Sequence, residues 1–383
     1  MLKESPLART AGKQLRYHAI CEQLRRDIES NRYAPGERLP SDSELAAHFS
    51  VSRLTVIRSL RELEAESLVK RRAGSGTYVR GAAEPSAAND ARVFGLLMPD
   101  LGDGEVFEPV ARGIARAGES LHHRLLWGNP PTASHDKEQQ TQELCRYLIS
   151  RKVAGVFFAP VEHTPNQNEV NERVADTLTD AGIPIVLVDR CFRRYPDRSR
   201  FDLVGIDNRR AGFRMTQHLL DVGCRRVVFA SRPGAASTVD ARRSGYRDAL
   251  WTANMESQDD LPVELDRDRG PMLKKFLKSV RPDGIVCAND LTAATLMHDL
   301  LKLGIRIPDE VKMVGINDVK YASFLPVPLT TLHQPCQDLG SQAMAVMIDR
   351  LQHRELPARD VLLDCELMVR QSCGAEISSL FHH

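Results

Sequence analysis

The chain has 383 residues, of which 42% are hydrophobic, so two or three domains with sizeable cores are expected. The net charge is +1, but residues 1–83 hold 15 Lys and Arg against 10 Asp and Glu, so the amino-terminal end is basic. No apolar run reaches the ~18 residues of a membrane span, and the first residues lack the apolar core of a signal peptide, which argues against membrane and secreted proteins. The cysteines are scattered without a Cys-x-x-Cys pair, a pattern typical of reduced thiols in a cytoplasmic protein with no metal site and no cofactor.

The pattern of residues 14–80 predicts an α+β domain of three helices and a hairpin. A first helix is indicated by apolar residues at helical spacing, and Ser41 with Glu44 forms a capping-box pattern that opens a second, short helix. Ser52 opens a third helix, whose inner face is predicted to carry Val56, Leu60 and Leu63. A hairpin with a glycine-rich tip follows over residues 68–80. This order of elements predicts a winged helix-turn-helix.

The third helix has side chains suited to duplex DNA. Arg53 lies at its start, where a guanidinium can reach the O6 and N7 atoms of guanine. Ser52 and Thr55 carry short hydroxyls for phosphates or base edges, and Arg72 is one of several basic residues flanking the hairpin tip. The alternative is a small helical domain with a solvated charged face.

Three motifs occur in a fixed order: Leu-Pro-Ser at residues 39–41, Val-Ser-Arg-x-Thr-Val at 51–56 and Gly-x-Gly-Thr-Tyr-Val at 74–79. This set resembles the GntR family of bacterial regulators over residues 17–80. The resemblance implies DNA contacts from Ser52, Arg53, Thr55 and Gly74. The family usually has an arginine where Ile57 stands here, beside Arg58. The full set of expected DNA-binding residues is Ser41, Ser52, Arg53, Thr55, Arg58, Arg72 and Gly74.

A small, polar, aperiodic segment over residues 81–91 is predicted to be a linker to a second region, residues 92–374. There, short apolar strands alternate with amphipathic helices. The predicted strands are Val93–Met98, Arg124–Trp127, Gly155–Phe158, Pro184–Val188, Leu203–Ile206, Arg226–Ala230, Gly284–Ala288 and Lys312–Ile316. Such alternation predicts an α/β fold with doubly wound parallel sheets, and the span is long enough for two lobes, which makes the chain multidomain.

Polar residues directly after strands are the candidates for ligand binding, because open α/β sheets bind ligands beyond the carboxyl ends of their strands. Asp189, Arg190, Asn289 and Asn317 occupy such positions. A polyol ligand needs carboxylates, amides and guanidinium groups of this kind. Asp189 and Arg190 are alternatively a surface ion pair.

Two further residues have an alternative structural role. Asp290 also follows a strand, but it is equally well placed to cap the helix predicted from Leu291. Arg242 lies on the first turns of another helix, where it is alternatively paired with Asp240 or Asp248.

Several fragments resemble the LacI-type effector domain, which has the periplasmic-binding-protein-like fold. Among them are Val-Asp-Arg at 188–190, Ala-Asn-Asp at 288–290 and Val-Gly-Ile-Asn-Asp at 314–318. The resemblance implies ligand-facing positions for Thr238, Arg242, Asn289, Asn317 and Gln334, which adds to Asp189 and Arg190. The family commonly has Asp where Asn317 stands, so a ligand different from the family's commonest sugars is expected. A GntR-type head on a LacI-type body is similar to arabinose-type repressors.

These features predict a transcriptional repressor that binds operator DNA as a homodimer and responds to a small-molecule effector, a sugar or a sugar derivative, bound between two lobes. An enzyme is not expected, because the chain has no P-loop, no Gly-x-Ser-x-Gly elbow and no Gly-x-Gly-x-x-Gly after a strand. Two alternatives remain: a sugar- or nucleotide-processing enzyme on a doubly wound fold, and a DNA-binding protein with a ligand-free body. Trp127 and Trp251 are predicted to be core residues rather than sugar platforms.

Overall fold

The computed structural model describes residues 20–28, 30, 32–34, 36–49, 51–65, 68–72, 76–79, 91–99, 106–128, 136–258, 260–263 and 270–375. The chain divides into two compact units, Met1–Asp90 and Ala91–His383, called below the amino-terminal and the carboxyl-terminal unit. Of the predicted linker, residues 81–91, only Ala91 is among the described residues.

The described part of the amino-terminal unit contains three helices followed by a hairpin. These elements are α1 (residues 20–28), α2 (Asp42–His48), α3 (Arg53–Ala65), β1 (Val69–Arg72) and β2 (Gly76–Val79). The two strands pair antiparallel, with Val69 opposite Val79 and Arg72 opposite Gly76. The predicted order of helices and hairpin is therefore present.

Local capping and a small core explain this arrangement. The Ser41 side chain accepts a hydrogen bond from the backbone of Glu44, whose carboxylate accepts one from the Ser41 amide, so the predicted capping box is confirmed. Val56, Leu60 and Leu63 are completely buried, as predicted for the inner face of α3. They pack in one cluster with apolar residues of α1, α2 and both strands, which fixes the outer face of α3 toward solvent.

The carboxyl-terminal unit contains two six-stranded sheets, each the centre of one lobe. Lobe 1 consists of β3 (Val93–Leu97), α4 (Phe107–Ser120), β4 (Arg124–Leu126), α5 (Lys137–Ser150), β5 (Gly155–Phe158), α6 (Gln167–Asp180), β6 (Ile185–Val188), β7 (Asp202–Ile206), α11 (Cys336–Gln352) and β13 (Asp360–Leu363). Lobe 2 consists of α7 (Asn208–Asp221), β8 (Val227–Ser231), α8 (Ser237–Thr252), β9 (Leu261–Pro262), α9 (Gly270–Val280), β10 (Gly284–Cys287), α10 (Asp290–Lys302), β11 (Lys312–Asn317), β12 (Thr330–His333) and β14 (Glu366–Met368).

Both sheets have the same topology. The strand orders are β4-β3-β5-β6-β7-β13 in lobe 1 and β9-β8-β10-β11-β12-β14 in lobe 2. All neighbouring strands are parallel except β14, which runs antiparallel to β12. In both sheets the order reverses beside the first strand, as in doubly wound folds that bind ligands at that edge. The predicted two-lobed α/β fold with doubly wound sheets is confirmed.

Helices cover both faces of each sheet. In lobe 1, α4 and α11 pack on one face, and an apolar cluster containing residues of α5 and α6 lies under the other. In lobe 2, α7 and α8 lie on one face and α9 and α10 on the other. Strands buried on both sides read as continuous apolar runs, which is why eight of them could be predicted from sequence.

The backbone passes between the lobes at three places. These segments lie between β7 and α7, between β12 and α11, and between β13 and β14. With three connections between them, the lobes can move relative to each other only as rigid bodies. The carboxyl ends of both sheets face a shared cleft.

Four short strands were not predicted from the sequence, and two aromatic residues predicted to be buried are exposed. The strands β9, β12, β13 and β14 have two to four residues and mixed polarity, so they carry no apolar run. Trp127 and Trp251, predicted to be core, are 61% and 81% exposed. Trp127 follows the edge strand β4 and Trp251 lies in the last turn of α8, where neither has a second layer above it.

Candidate DNA-binding surface and ligand pocket

The exposed start of α3 carries the predicted DNA contacts. Arg53 is the first helical residue and is exposed, and no acidic residue lies in the first turn. The Ser52 hydroxyl accepts a hydrogen bond from the Thr55 amide at 3.3 Å and lies 2.8 Å from the Thr55 hydroxyl. A helix start with free amides and no carboxylate has a positive potential that favours phosphate.

The other predicted DNA contacts are less fully described. Ser41 is exposed, but its side-chain oxygen already caps α2. Arg58 lies within α3 and Arg72 is the last residue of β1, and the structure describes the backbone of both. Gly74 lies outside the described residues.

A polar cavity of about 240 Å³ lies between the carboxyl ends of the two sheets. At about 30 Å³ per water molecule it has room for about eight waters, which suits a small polar ligand. It is lined by all seven residues predicted as effector contacts, namely Asp189, Arg190, Thr238, Arg242, Asn289, Asn317 and Gln334. Five of them lie at the ends of β6, β10, β11 and β12, and Thr238 and Arg242 lie on α8, so the fold brings them together.

Arg190 is the centre of an ion cluster on the lobe 1 side. Its guanidinium pairs with Glu162 and, at 3.0 Å, with Asp189, and it lies 5.1 Å from the centre of the Phe107 ring. Burial would raise the pKa of Glu162, but the charges of Arg190 and His163 together with hydrogen bonds lower it to about 2. Arg190 is 5% exposed, so the interpretation of Asp189 and Arg190 as a surface pair is wrong.

Arg242 is buried on the lobe 2 side and is held by neutral partners. Its Nε donates to Asn208 Oδ1 at 2.8 Å and its Nη1 donates to the carbonyl of Ala288 at 2.6 Å. The alternative pairing with Asp240 or Asp248 is wrong, because those carboxylates pair with Arg243 and Arg209. Burial lowers the pKa of Arg242, and the charges of Asp189 and Glu162 across the pocket oppose that shift. The guanidinium is therefore fixed in place with N–H groups left for an acceptor on a ligand.

Asn289, rather than Asp290, caps α10. Asn289 Oδ1 accepts hydrogen bonds from the amide and the hydroxyl of Thr292, which leaves its Nδ2 group as a donor at the pocket. Asp290 is the first helical residue and is completely buried, where it accepts hydrogen bonds from Thr331 and from the amide of Val319. Burial raises the pKa of Asp290 to about 6. Asp290 thus contributes to the site indirectly, by holding Thr331 and the backbone of Val319 in place.

Asn317 and Gln334 form an amide pair at the pocket. Gln334 Nε2 donates to Asn317 Oδ1 at 2.6 Å, while the buried Oε1 of Gln334 has no hydrogen-bond partner. A buried acceptor without a donor costs about 1–3 kcal/mol, so this oxygen favours a ligand that brings a hydroxyl.

Three pocket residues have a left-handed backbone. The φ angles are 70° at Asp189, 60° at His163 and 135° at Asn317. Positive φ is unfavourable for side chains other than glycine and is found where surrounding structure fixes a functional group. The strained backbone here coincides with the pocket lining.

Hydrogen bonds join the two lobes across the mouth of the cleft. The amide of Ala236 in lobe 2 donates to Glu162 Oε2 in lobe 1 at 3.1 Å, and the hydroxyl of Ser237 donates to the carbonyl of Cys191 at 2.5 Å. These two bonds hold the lobes together beside the cavity.

Sequence reasoning missed several lining residues. Glu162 and His163 come soon after β5 and would have been found by applying the strand-end rule to every strand. Arg232 directly follows β8 and would also have been found by that rule. Lys137 lies at the start of α5, where nothing in the local pattern distinguishes it from a surface residue.

Neither a metal site nor a membrane-spanning helix is present among the described residues. In that part of the chain, no group of three or more His, Cys, Asp and Glu side chains is arranged to hold a metal ion. None of its helices combines the length and the apolar character that crossing a membrane requires.

Known proteins match both units. Residues 16–79 match bacterial regulatory proteins of the gntR family, and residues 216–373 match a periplasmic binding protein-like domain. An arabinose metabolism transcriptional repressor of Geobacillus stearothermophilus is 27% identical over 372 residues, which cover 93% of this chain and 97% of that protein. The ribose operon repressor of Escherichia coli K12 is 25% identical over 288 residues, which cover 74% of this chain and 83% of that protein.

A solved structure shows the same fold in the larger unit. The crystal structure of a LacI family transcriptional regulator from Enterococcus faecium with bound ribose has a TM-score of 0.58 and 21% identity, and the match covers 73% of this chain and 98% of that chain. With the two domain matches, the fold and the relatives agree along the whole chain: it joins a GntR-type helix-turn-helix domain to a periplasmic-binding-protein-like domain.

Proposed function

We propose that this protein is a transcriptional repressor whose affinity for operator DNA is controlled by a sugar or sugar derivative bound in the pocket between its lobes. One observation carries the proposal: seven residues with the donors and acceptors of a polyol site, from the ends of four strands and from α8, line one cavity. The relatives named above are transcriptional repressors of arabinose metabolism and of the ribose operon, and the structural relative contains ribose.

The DNA side of the proposal depends on the exposed start of α3. We assign base contact to Arg53 and phosphate or base-edge contact to Ser52 and Thr55, because the helix start is acid-free and points away from the core. Ser41, Arg58, Arg72 and Gly74 are proposed as further contacts with the duplex.

On the effector side, we assign contacts with ligand hydroxyl or carbonyl groups to Arg242, Asn289, Asn317 and Gln334. Thr238, on the first turn of α8, also lines the cavity. Asp189 supplies a charged acceptor for a hydroxyl pair, while Arg190 holds that carboxylate in place. Each polar group of a sugar would thus exchange its hydrogen bonds to water for hydrogen bonds to protein groups held in position.

Control of DNA binding follows from the two-lobed structure. Ligand bridges the lobes and stabilises the closed cleft, and in a homodimer this closure changes the spacing of the two DNA-binding domains relative to two half-sites. The homodimer and a cytoplasmic location belong to this proposal, because operator half-sites are read in pairs and bacterial operators lie in the cytoplasm. No catalytic activity is proposed, and the relatives are named as regulators.

An electrophoretic mobility shift experiment tests the function. The full chain is titrated onto the DNA upstream of its own gene in the presence of excess unrelated DNA, with and without a panel of pentoses, hexoses and their derivatives. We expect a specific complex that one member of the panel dissociates. Binding that unrelated DNA abolishes completely, whatever sugar is present, would contradict the proposal.

A further inference from the structure

The charges around the pocket are unequal. Among the described residues that line it, four are cationic and two are anionic. These are Lys137, Arg190, Arg232 and Arg242 against Glu162 and Asp189. Burial lowers the pKa of His163, so its ring is neutral at pH 7 and adds no charge. The described part of the lining therefore has two more cationic than anionic residues.

The buried part of this set is balanced. Arg190 pairs with both Glu162 and Asp189, which leaves one negative charge in that cluster. Arg242 faces this cluster from lobe 2 and has neutral hydrogen-bond partners of its own, so the four buried groups sum to zero. The two other cationic residues of the described lining are Lys137, which has a further interaction partner, and Arg232.

Arg232 is the clearest of these. It directly follows β8, is half-buried and lines the cavity, yet its guanidinium forms no ion pair with a carboxylate anywhere in the described part of the chain. Most other arginines near the cleft are paired, for example Arg243 with Asp240 and Asp260. A half-buried guanidinium without a counterion is the expected feature of a site that receives an anion.

The opposite end of the pocket is suited to hydroxyl groups. The unpartnered Oε1 of Gln334 requires a donor, and the Nδ2 group of Asn289 requires an acceptor. Asn317 is a neutral amide at this end, so the described lining contains no carboxylate on the lobe 2 side. One end of the cavity thus favours neutral polar groups and the other favours negative charge.

We infer that the effector is an anionic polyhydroxylated molecule, a sugar phosphate or a sugar acid, whose charged group lies against Arg232 and whose hydroxyls meet Gln334, Asn289 and Arg242. This inference rests on the proposed function and refines its ligand class. The cavity of about 240 Å³ accommodates one small sugar ring or chain together with the charged group.

Calorimetric titration of the full chain with matched ligands tests the inference. The probes are glucose, glucose 6-phosphate and glucuronate, the corresponding three forms of ribose and of arabinose, and inorganic phosphate alone. We expect at least one phosphorylated or carboxylated form to bind at least tenfold more tightly than its neutral parent. Its affinity falls as salt is raised, because the contact is ionic. The phosphate and carboxylate arms show which anion the site takes.

Paired variants locate the anion. Arg232→Gln should reduce the affinity for the anionic form to that of its neutral parent, while the affinity for the neutral parent changes less than twofold. Arg247→Gln is the matched control, because Arg247 is an exposed arginine of α8 outside the pocket lining. An unchanged preference for the anion in Arg232→Gln would overturn the assignment of Arg232.

The remaining outcomes separate this inference from the proposed function. A neutral sugar that binds as tightly as its anionic forms would overturn the anionic effector and leave a sugar-controlled repressor intact. Inorganic phosphate that binds as tightly as the phosphorylated sugars would show an anion site without hydroxyl recognition and would also overturn the inference. Failure of every sugar, neutral or charged, to bind would count against the proposed function itself.

Discussion

Arg242 is the pocket residue whose substitution we expect to separate effector binding from DNA binding. Arg242→Gln removes the buried charge and its hydrogen bonds to a ligand, which should weaken effector binding by about 1.5–3 kcal/mol, the range for hydrogen bonds to charged groups. Calorimetry measures the ligand affinity, with Arg247→Gln as control. Effector affinity within twofold of the wild type in a variant with unchanged melting temperature would contradict the assignment.

Arg53 is the residue whose substitution we expect to weaken operator binding. Arg53→Ala should cost about 1–3 kcal/mol of operator affinity and relax the preference at one base position. Fluorescence anisotropy with operator variants measures both effects. Arg32→Ala, a substitution at an exposed arginine after α1 that pairs with Asp27, should leave operator affinity nearly unchanged. Equal effects of the two substitutions would show that Arg53 contributes only general charge.

The lowered pKa of Glu162 predicts that the stability of the fold depends on pH. Its pKa is lowered to about 2 in the folded chain, so its ion pair with Arg190 stabilises the fold at any pH above the ordinary glutamate value of 4.5. That contribution is lost as the pH falls from about 4.5 to about 2. The difference in melting temperature between wild type and Glu162→Gln should therefore shrink as the pH falls from about 4.5 to about 2. A difference that grows on acidification would contradict the lowered pKa.

At the scale of residues, much of the pocket could be predicted from the strand-end rule and from a family resemblance. Asp189, Arg190 and Asn289 follow directly from apolar strands, so their convergence required only the topology of a parallel sheet. Arg232 also follows a strand directly, but the sequence does not show that its guanidinium has no carboxylate partner among the described residues. The capping role of Asn289 also depends on a helix boundary shifted by one residue.

Within lobe 2, the helix that carries Arg242 packs very closely on its neighbour. A β-carbon added at Gly212 of α7 would lie 1.9 Å from the carbonyl oxygen of Arg242, and one at Gly245 of α8 would lie 1.8 Å from the carbonyl oxygen of Arg209. Only glycine permits this contact between two backbones. The position of the Arg242 guanidinium therefore depends on the glycine that faces it.

Gly212→Ala tests this dependence. Moving two backbones apart in a packed core should cost about 1–3 kcal/mol, seen as a lower denaturant midpoint, and should weaken effector binding because Arg242 shifts. Gly128→Ala is the control, because no atom lies within 4 Å of a β-carbon placed there. A stable Gly212→Ala variant with wild-type effector affinity would show that α7 and α8 tolerate separation.

At the scale of elements, burial on both faces made the central strands predictable and the edge strands unpredictable. β5 and β6 are short runs of completely buried apolar residues, whereas β13 alternates between exposed and half-buried positions and β12 has two buried threonines. The Thr331 hydroxyl donates to Asp290 and the Thr330 hydroxyl donates to the carbonyl of Arg370, so these polar side chains are satisfied inside the sheet. Local hydrophobicity cannot reveal a strand of this kind.

In the molecule as a whole, the uneven charge of the sequence corresponds to two units with different features. The start of α3 in the amino-terminal unit is exposed and has no acidic residue in its first turn. The carboxyl-terminal unit has a cavity between two lobes that the backbone joins at three places. Closure is stabilised by bonds across the cleft, such as that from Ser237 to Cys191, and a ligand that bridges the lobes adds to them. Coupling between the two units requires that closure and DNA binding favour different states of the proposed dimer.

The affinity of the full chain for its operator, measured by fluorescence anisotropy with and without a saturating pocket ligand, tests this coupling most directly. We expect the ligand to weaken operator binding by about 5- to 150-fold, equal to a coupling free energy of about 1–3 kcal/mol, with operator DNA weakening ligand binding by the same factor. Arg242→Gln should bind operator like the wild type and show no response to the ligand. An operator affinity that stays constant while calorimetry shows the wild-type pocket to be filled would contradict control of DNA binding by this site.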